Sequence, residues 1–482
     1  MAPLVDESIE TRLFINGEFR TSSDGKAFEV VYPYTGEVVA QVQEANTQDV
    51  DDAVAAASTA FPAWRDLGTD KRGAYLRKLS QLILESNNEL AKLETLSTGR
   101  PISQYFDAGT AAEFFAYFAG GGWTAQGTAS LNTPDHLNMT VKQPYGVVAL
   151  IIPWNFPLVI FAGKVAPALA AGNTVVLKSS EKAPLTSLYI AKLVEKAGFP
   201  PGVINIISGF GDPAGSALAS HMTVRCISFT GSSATGQKIQ VAAAKTNLKH
   251  VHMELGGKSP AIIFEDADLK TAVEQTQFSI RFNSGQVCTA NSRIYVQESV
   301  AEQFIKLFRE QFGAVRMGDP LDPATLHGPQ IDILQYNRIK EYLAVGEKDG
   351  KLTIGGDAND GFFVQPTIFE GVSGDSRLMQ EEIFGPVVAI NTFSAEAEAI
   401  EKANNSDFGL YAAVFTKDLD RAVRVAKALD AGTVGVNCTS PTNAKDTAFG
   451  GFKMSGSGRE GLLHSLDIFL ETKSILIKIA RL

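Results

Sequence analysis

Three short stretches carry residues whose types could do chemistry. "FNSGQVCTANSR" (282–293) sets Cys288 among small and polar residues. "HMELGGKSP" (252–260) sets Glu254 between an apolar run and two glycines. "PWNFP" (153–157) holds Asn155 between two aromatics and two prolines. Cys288 has four readings: buried spectator, half of a disulfide, metal ligand or nucleophile. The chain has only three cysteines, at 226, 288 and 438, an odd number too widely spaced for a disulfide framework. No CxxC, HExxH or clustered Cys/His pattern occurs, so no metal site is expected. A nucleophilic cysteine needs a lowered pKa, and none of the six histidines lies close to 288 in sequence. Papain-like chemistry is therefore disfavoured. Cys226, in "RCISF", reads as a small core hydrophobe, and Cys438 stays ambiguous.

The partners of such a thiol can be read in the same way. A carboxylate in the place of Glu254 can be partly desolvated, which raises its pKa toward that of a general base. It can equally be a structural acid bonded to nearby backbone. Prolines on both sides restrict the backbone at Asn155, whose side-chain N–H could meet a developing oxyanion or simply shape a turn. "FTGSSATG" spaces Gly231 and Gly236 five apart at a strand-to-helix junction, a place that suits a pyrophosphate or an ordinary tight turn. "KSSEKAP" puts Lys178 and Glu181 at another strand end, either to bond ribose hydroxyls or as a solvated pair.

The elements around these residues alternate. "YGVVALIIP" (145–153), "NTVVLK" (173–178), "VINIISG" (203–209), "RCISFTG" (225–231) and "KHVHMELG" (249–256) read as strands. "LVIFAGKVAPALAAG", "PLTSLYIAKLVEKAG" and "SATGQKIQVAAAK" between them read as helices, two of them stopping at glycines. This alternation implies crossover units and a parallel sheet, with ligands beyond the carboxyl ends of the strands. A second α/β series follows, with "DLKTAVEQTQFSIRF" helical, "SRIYVQ" a strand, and "SVAEQFIKLFREQF" a helix capped by Ser299. An N-terminal helical region begins near "TQDVDDAVAAAS". "TASLNTPDHLNMTVKQPYG" (128–146) reads as a hairpin and "ETKSILIKIARL" (471–482) as an edge strand. Exposed edges want partners, so both are expected to make oligomer contacts.

The whole chain sets outer limits. Its 482 residues call for two or three domains. A net charge of −10 with no basic face argues against nucleic acid. The longest apolar stretch is broken by Pro153, Asn155 and Pro157, which suits a buried strand and helix rather than a membrane span. Neither terminus matches a targeting pattern, so the cytoplasm is expected.

"PWNFP", "FTGS", "MELGGKSP", "FNSGQVCTANSR", "EEIFGPV" (381–387) and "FGGFKMSGSGRE" (449–460), in this order, resemble the NAD(P)-dependent aldehyde dehydrogenase superfamily, over about residues 12–478. The resemblance implies an α/β fold with a Rossmann-like parallel-sheet cofactor domain (1–125 with 145–252). It also implies a second α/β catalytic domain (253–450) and a small β oligomerisation extension (126–144 with 465–482). By the same resemblance Cys288 is the nucleophile, Glu254 the general base and Asn155 the oxyanion donor, with Lys164 supporting the site. It places the cofactor against Ile151, Ile152, Trp154, Lys178, Glu181, Gly211, Phe229, Gly231, Ser232, Gly236, Leu255, Gly256, Glu382 and Phe384. The substrate pocket falls to Phe156, Val159, Ile160, Gly163, Phe282, Thr439 and Phe449. Glu254 points to the acid-forming, hydrolytic branch. Glu181 should repel a 2′-phosphate, so NAD is favoured over NADP, although such a side chain can swing aside. Gly163, bulkier in some relatives, implies room for a larger or aromatic aldehyde. Arg281 reads as a surface or interface arginine before a reader of carboxylated substrates. A homodimer or homotetramer is expected.

Overall fold

In a computed structural model the described residues are 9–358, 361–442 and 444–479. Two large sheets organise them. The first has eight strands, in the order Glu18–Arg20, Leu13–Ile15, Ile204–Gly209, Thr174–Ser180, Val147–Ile151, Cys226–Thr230, His250–Glu254 and Gly456–Ser457. Its five central strands run parallel. Helices Pro157–Ala170, Leu185–Ala197 and Ser233–Lys245 connect them, as the alternation predicts. Along Val147–Ile151, Val148 and Leu150 enter one apolar cluster while Val147, Ala149 and Ile151 enter another. Both faces are thus covered, which is why these strands read as continuous apolar runs.

The second sheet has seven strands, with Pro260–Ile263 and Arg293–Gln297 at its centre. It also has two buried faces, Ile262 on one and Ala261 with Ile263 on the other. The chain passes between the sheets at Leu255–Ser259. The expected domain boundary at 252/253 falls inside the strand His250–Glu254. A late return strand, Gly456–Ser457, pairs with Met253 and Glu254 and ties the C-terminal region back to the first sheet.

One local expectation needs adjusting. Ser299 is not a cap: the helix runs Glu298–Gly313, and the Ser299 hydroxyl donates to Glu265 at 2.8 Å. The hairpin and the C-terminal strand join neither large sheet. His136–Pro144 pairs antiparallel with Leu470–Lys478 over nine residue pairs, and Ala129–Ser130 completes a separate three-stranded sheet. Residues 480–482 of the expected strand lie outside the described residues, as do 1–8 of the expected cofactor domain. Among the described residues no helix is long and apolar enough to cross a membrane.

Candidate active site

The site lies where the two sheets meet. Glu254 closes a strand of the first sheet, and its carbonyl accepts from the Gly231 N–H at 3.1 Å. Leu255 and Gly256 then carry Gly257 against the loop that holds Cys288. A Cβ on Gly257 would stand 2.4 Å from the Cys288 carbonyl oxygen, so only glycine allows this approach. The Gly257 N–H donates to Glu382 Oε1 at 2.9 Å. A Cβ on Gly256 would meet the other carboxylate oxygen of Glu382 at 2.3 Å. Gly256 and Gly257 thus bring the chain just past Glu254 against both the Glu382 carboxylate and the Cys288 loop.

The loop before Cys288 is strained. Asn283 and Ser284 take φ of 48° and 53°, and Gly285 follows at 76°. A left-handed conformation costs about 1–2 kcal/mol at each non-glycine residue, so the surroundings must hold it. They do so through side chains. The Asn283 N–H donates to Gln104 Oε1 at 3.0 Å. Asn283 Nδ2 donates to the Asn155 carbonyl at 3.2 Å. The Ser284 hydroxyl donates to the Gly328 carbonyl at 2.8 Å, and Gln330 Nε2 donates to the Ser284 carbonyl at 3.2 Å. Asn155, 4% exposed, donates its side-chain N–H to the Gln286 carbonyl at 3.1 Å, which fixes the amide beside the thiol.

The titratable groups are perturbed by burial. Burial pushes the Cys288 thiol up to about 12, with smaller contributions from Glu382 and Glu254, opposite to the lowered value a nucleophile needs; only the N–H groups of Cys288 and Thr289 favour the thiolate. Cys288 is still half-buried rather than sealed, so a small molecule can reach it. The Glu254 carboxyl is held well above its ordinary range, first by burial and then by Glu460; Lys164 and Arg459 oppose this. Its Oε2 is buried without a hydrogen-bond partner. Lys164 donates to Ser228 Oγ at 2.8 Å and to Glu460 Oε1 at 2.6 Å. Burial also raises Glu382, to about 7. By contrast Cys226 is fully buried in its strand, with its sulfur toward the Ile468 carbonyl.

The other expected positions distribute as follows. Ile151 and Ile152 end a central strand, and the Ile152 N–H donates to the Lys178 carbonyl at 3.2 Å. Lys178 is 4% exposed; burial lowers it to about 8, and its Nζ donates to the Ser179 carbonyl. Glu181 follows in the turn, half-buried. Gly211 opens the turn after Ile204–Gly209. Ser232 caps helix Ser233–Lys245, accepting from the Thr235 N–H. Gly236 packs on Leu255 and Met253, where a Cβ would come within 2.9 Å of Leu255, and Gly231 packs on the Phe229 ring. Trp154 meets Phe384 edge-on at 5.3 Å, and Phe384 holds a φ of 60°.

Val159, Ile160 and Gly163 lie along helix Pro157–Ala170, all half-buried. A Cβ added at Gly163 would touch only Phe114, at 3.9 Å, so that wall is open. Phe156 and Phe282 stack at 5.8 Å and 18°. Phe449, half-buried, is bridged to Glu460 by paired backbone bonds. Thr439 is 2% exposed and its hydroxyl donates to Asn291 Oδ1 at 2.6 Å, three residues past Cys288. Arg281 has a buried Nε without a partner, and burial lowers its pKa.

Several site residues escape sequence reasoning. Glu460 ends the motif "FGGFKMSGSGRE", which could have flagged it as an acid. Phe106 stands 6.3 Å from Phe156 and 6.1 Å from Phe282, and Phe278 stands 5.4 Å from Phe282. Phe106, Gln104, Gln330 and Phe278 sit in no motif; only the fold brings them here.

These residues fit a dinucleotide. A helix N-terminus follows a strand end at Ser232, with glycines where the chain packs tightest. Glu382 offers a carboxylate clamped by one N–H, and Lys178 and Glu181 supply a buried cation and an acid at the next strand end.

The aldehyde dehydrogenase family model matches residues 19–475. Human retinal dehydrogenase 2 is 48% identical over 477 residues, covering 97% of this chain and 92% of that protein. An NAD+ complex of an aldehyde dehydrogenase from Bacillus cereus superposes with a TM-score of 0.95 at 42% identity, covering 98% of this chain and 97% of that one. P. syringae indole-3-acetaldehyde dehydrogenase, solved with NAD+ and IAA, superposes with a TM-score of 0.96 at 41% identity and the same coverage. The chain belongs to the aldehyde dehydrogenase family.

Proposed function

We propose that the protein oxidises an aldehyde to a carboxylic acid with NAD, through covalent attachment to Cys288. The observation that carries this reading is that Asn155 bonds the Gln286 carbonyl two residues before Cys288, while Gly257, three residues after Glu254, lies against both the Cys288 carbonyl and the Glu382 carboxylate. The Cys288 sulfur, as thiolate, attacks the aldehyde carbon and gives a tetrahedral thiohemiacetal. In this reading the Asn155 amide and the Cys288 N–H donate to its oxyanion, and such a donor typically contributes roughly 2.7–4 kcal/mol to lowering the barrier. When bound, the nicotinamide ring supplies the hydride acceptor. Glu254 then takes a proton from the water that hydrolyses the Cys288 thioester. Lys164 and Glu460 set the field at Glu254, one lowering and one raising its pKa.

The chain's own groups would hold the cofactor along the first sheet. The Ser232 helix terminus would hold the pyrophosphate, Lys178 and Glu181 the adenosine ribose, and Glu382 the nicotinamide ribose. Ile151, Ile152, Trp154, Gly211, Phe229, Leu255 and Phe384 wall the cleft. The acid at Glu181 favours NAD over NADP. The open wall at Gly163 and the stacked Phe156 and Phe282 support a bulky or aromatic aldehyde, as does the likeness to a dehydrogenase crystallised with IAA. The separate sheet made by 129–130, 136–144 and 470–478 supports the reading of these segments as oligomer contacts in a homodimer or homotetramer.

The test is growth of NADH absorbance over an aldehyde panel, with and without coenzyme A, for the wild type and Cys288→Ser. Turnover of benzaldehyde or long-chain aldehydes without coenzyme A, abolished in the variant, is expected. A strict need for coenzyme A overturns the hydrolytic reading, and activity on acetaldehyde alone overturns the bulky pocket.

A further inference from the structure

Behind the aromatic wall lies a buried ion cluster that the proposed chemistry does not use. Arg100 is 2% exposed, and its Nη2 donates to both Glu94 Oε1 and Asp107 Oδ2 at 2.5 Å. The far Glu94 oxygen faces the Thr186 hydroxyl at 3.4 Å. Burial and Asp107 push the Glu94 carboxyl well above its ordinary range. A cation so deeply buried is costly unless its geometry is filled by design. Here the guanidinium has a second set of neighbours, all aromatic. Its carbon lies 4.8 Å from the Phe156 ring centre and 5.9 Å from those of Phe106 and Tyr105. Phe156 in turn stacks on Phe282, which leads directly into the nucleophile loop.

We propose that Arg100 is a positioning residue for substrate selectivity: clamped by Glu94 and Asp107, it holds the Phe156 ring parallel to Phe282, so that the pocket takes flat aromatic aldehydes in preference to short aliphatic ones. This rests on the reading of Cys288 as nucleophile and of Phe156 as pocket wall. The same short segment also supplies Gln104, which bonds Asn283, and Phe106, the partly exposed end of the wall. A planar fork is needed for the task. Its Nη2 alone bonds both carboxylates, its Nη1 is buried without a hydrogen-bond partner, and its plane lies near the Phe156 ring, whereas a lysine ammonium can reach the acids but has no flat face.

The experiment compares wild type, Arg100→Lys and Asp107→Asn with benzaldehyde and with propanal. For Arg100→Lys, kcat/KM with benzaldehyde relative to propanal should fall at least fivefold, mostly through KM for benzaldehyde. Asp107→Asn keeps the guanidinium and loosens one clamp, so its ratio should fall in the same direction but less; it also serves if Arg100→Lys does not fold. Thermal unfolding of both variants measures the structural cost separately. An equal loss on both aldehydes, or an unchanged ratio with a lowered Tm, makes Arg100 a structural residue only and overturns the proposal. If Cys288→Ser retains full turnover, the catalytic reading fails instead, whatever Arg100 does.

Discussion

The two walls of the cleft are built in opposite ways. On the side of the eight-stranded sheet, Ile151, Lys178, Phe229 and Glu254 lie in the last residues of their strands, where backbone bonds to the neighbouring strand or turn hold the chain. The Gly231 N–H reaches the Glu254 carbonyl, and the Ile152 N–H reaches the Lys178 carbonyl. On the other side, the Cys288 loop is held by side-chain bonds that reach far along the chain: the Gln104 side chain is 179 residues from Asn283, the Asn283 amide reaches the Asn155 carbonyl 128 residues away, and the Gln330 side chain is 46 residues from Ser284. Backbone bonds survive most substitutions, because every residue but proline carries the same donor and acceptor. Side-chain bonds do not. Point changes should therefore damage the thiol wall more through geometry, and the cofactor wall more through specificity.

Asn155 belongs to both walls and offers the strongest test. Its amide donates to the Gln286 carbonyl, and its own carbonyl accepts from Asn283. Asn155→Ala should cut kcat by about 10²–10³-fold, the usual effect of losing one oxyanion donor. Rapid mixing that shows an undiminished NADH burst would sink the assignment.

Glu254→Gln should act later in the cycle. The NADH burst should survive while the steady rate falls about 10²–10⁴-fold, because a general base is missing only from hydrolysis. The pH dependence sharpens the point. The Glu254 carboxyl lies above its ordinary range, so its basic form fills as pH rises, and the hydrolytic rate should climb with pH. Glu460 contributes to that upward shift and Lys164 opposes it. Glu460→Gln should therefore move the rising limb to lower pH, and Lys164→Met to higher pH. Limbs that stay in place in both variants would show that this pair does not tune the base.

The same contrast explains what was legible in the sequence. The order of strands and helices in the first sheet follows from apolar runs punctuated by glycine, because both sheet faces are buried and each connection is short. The nine-pair ladder between 136–144 and 470–478 is different: each segment looks like an edge, and nothing local names its partner. Ser299 misleads for a related reason, since a serine at a helix start can serve a neighbouring acid instead of its own helix. At the site, "FNSGQVCTANSR" marks the thiol, but neither Gln104 nor Gln330 has a local pattern, because their role exists only after the chain has folded. Thr439, placed in the pocket by resemblance, has its hydroxyl bonded to Asn291.

Gln330→Ala tests the thiol wall itself. It strips the donor from the Ser284 carbonyl inside a strained left-handed turn, and an unsatisfied buried group costs about 1–3 kcal/mol. Unfolding should shift by that order. The NADH burst should also slow, with KM for NAD little changed, since the change lies on one wall only. A raised KM for NAD with a normal burst would mean that the two walls are not separable.

Glu181→Gln is the smallest change and the converse test. Glu181 stands half-buried in the turn after Lys178, at the end of a strand whose backbone bonds do not involve its side chain. The fold should not register its loss. What changes is the charge facing an adenosine 2′-phosphate: a carboxylate repels a dianion across a few ångströms, and an amide can donate to it. The ratio of kcat/KM for NADP over NAD should rise several-fold, most at low salt, where such repulsion is least screened. Turnover with NAD should stay within a small factor, because an amide oxygen still accepts from one ribose hydroxyl. An unchanged ratio would mean that the cofactor's 2′ position lies away from this turn. The specificity of the backbone-built wall would then rest on the shape of the cleft rather than on one acid.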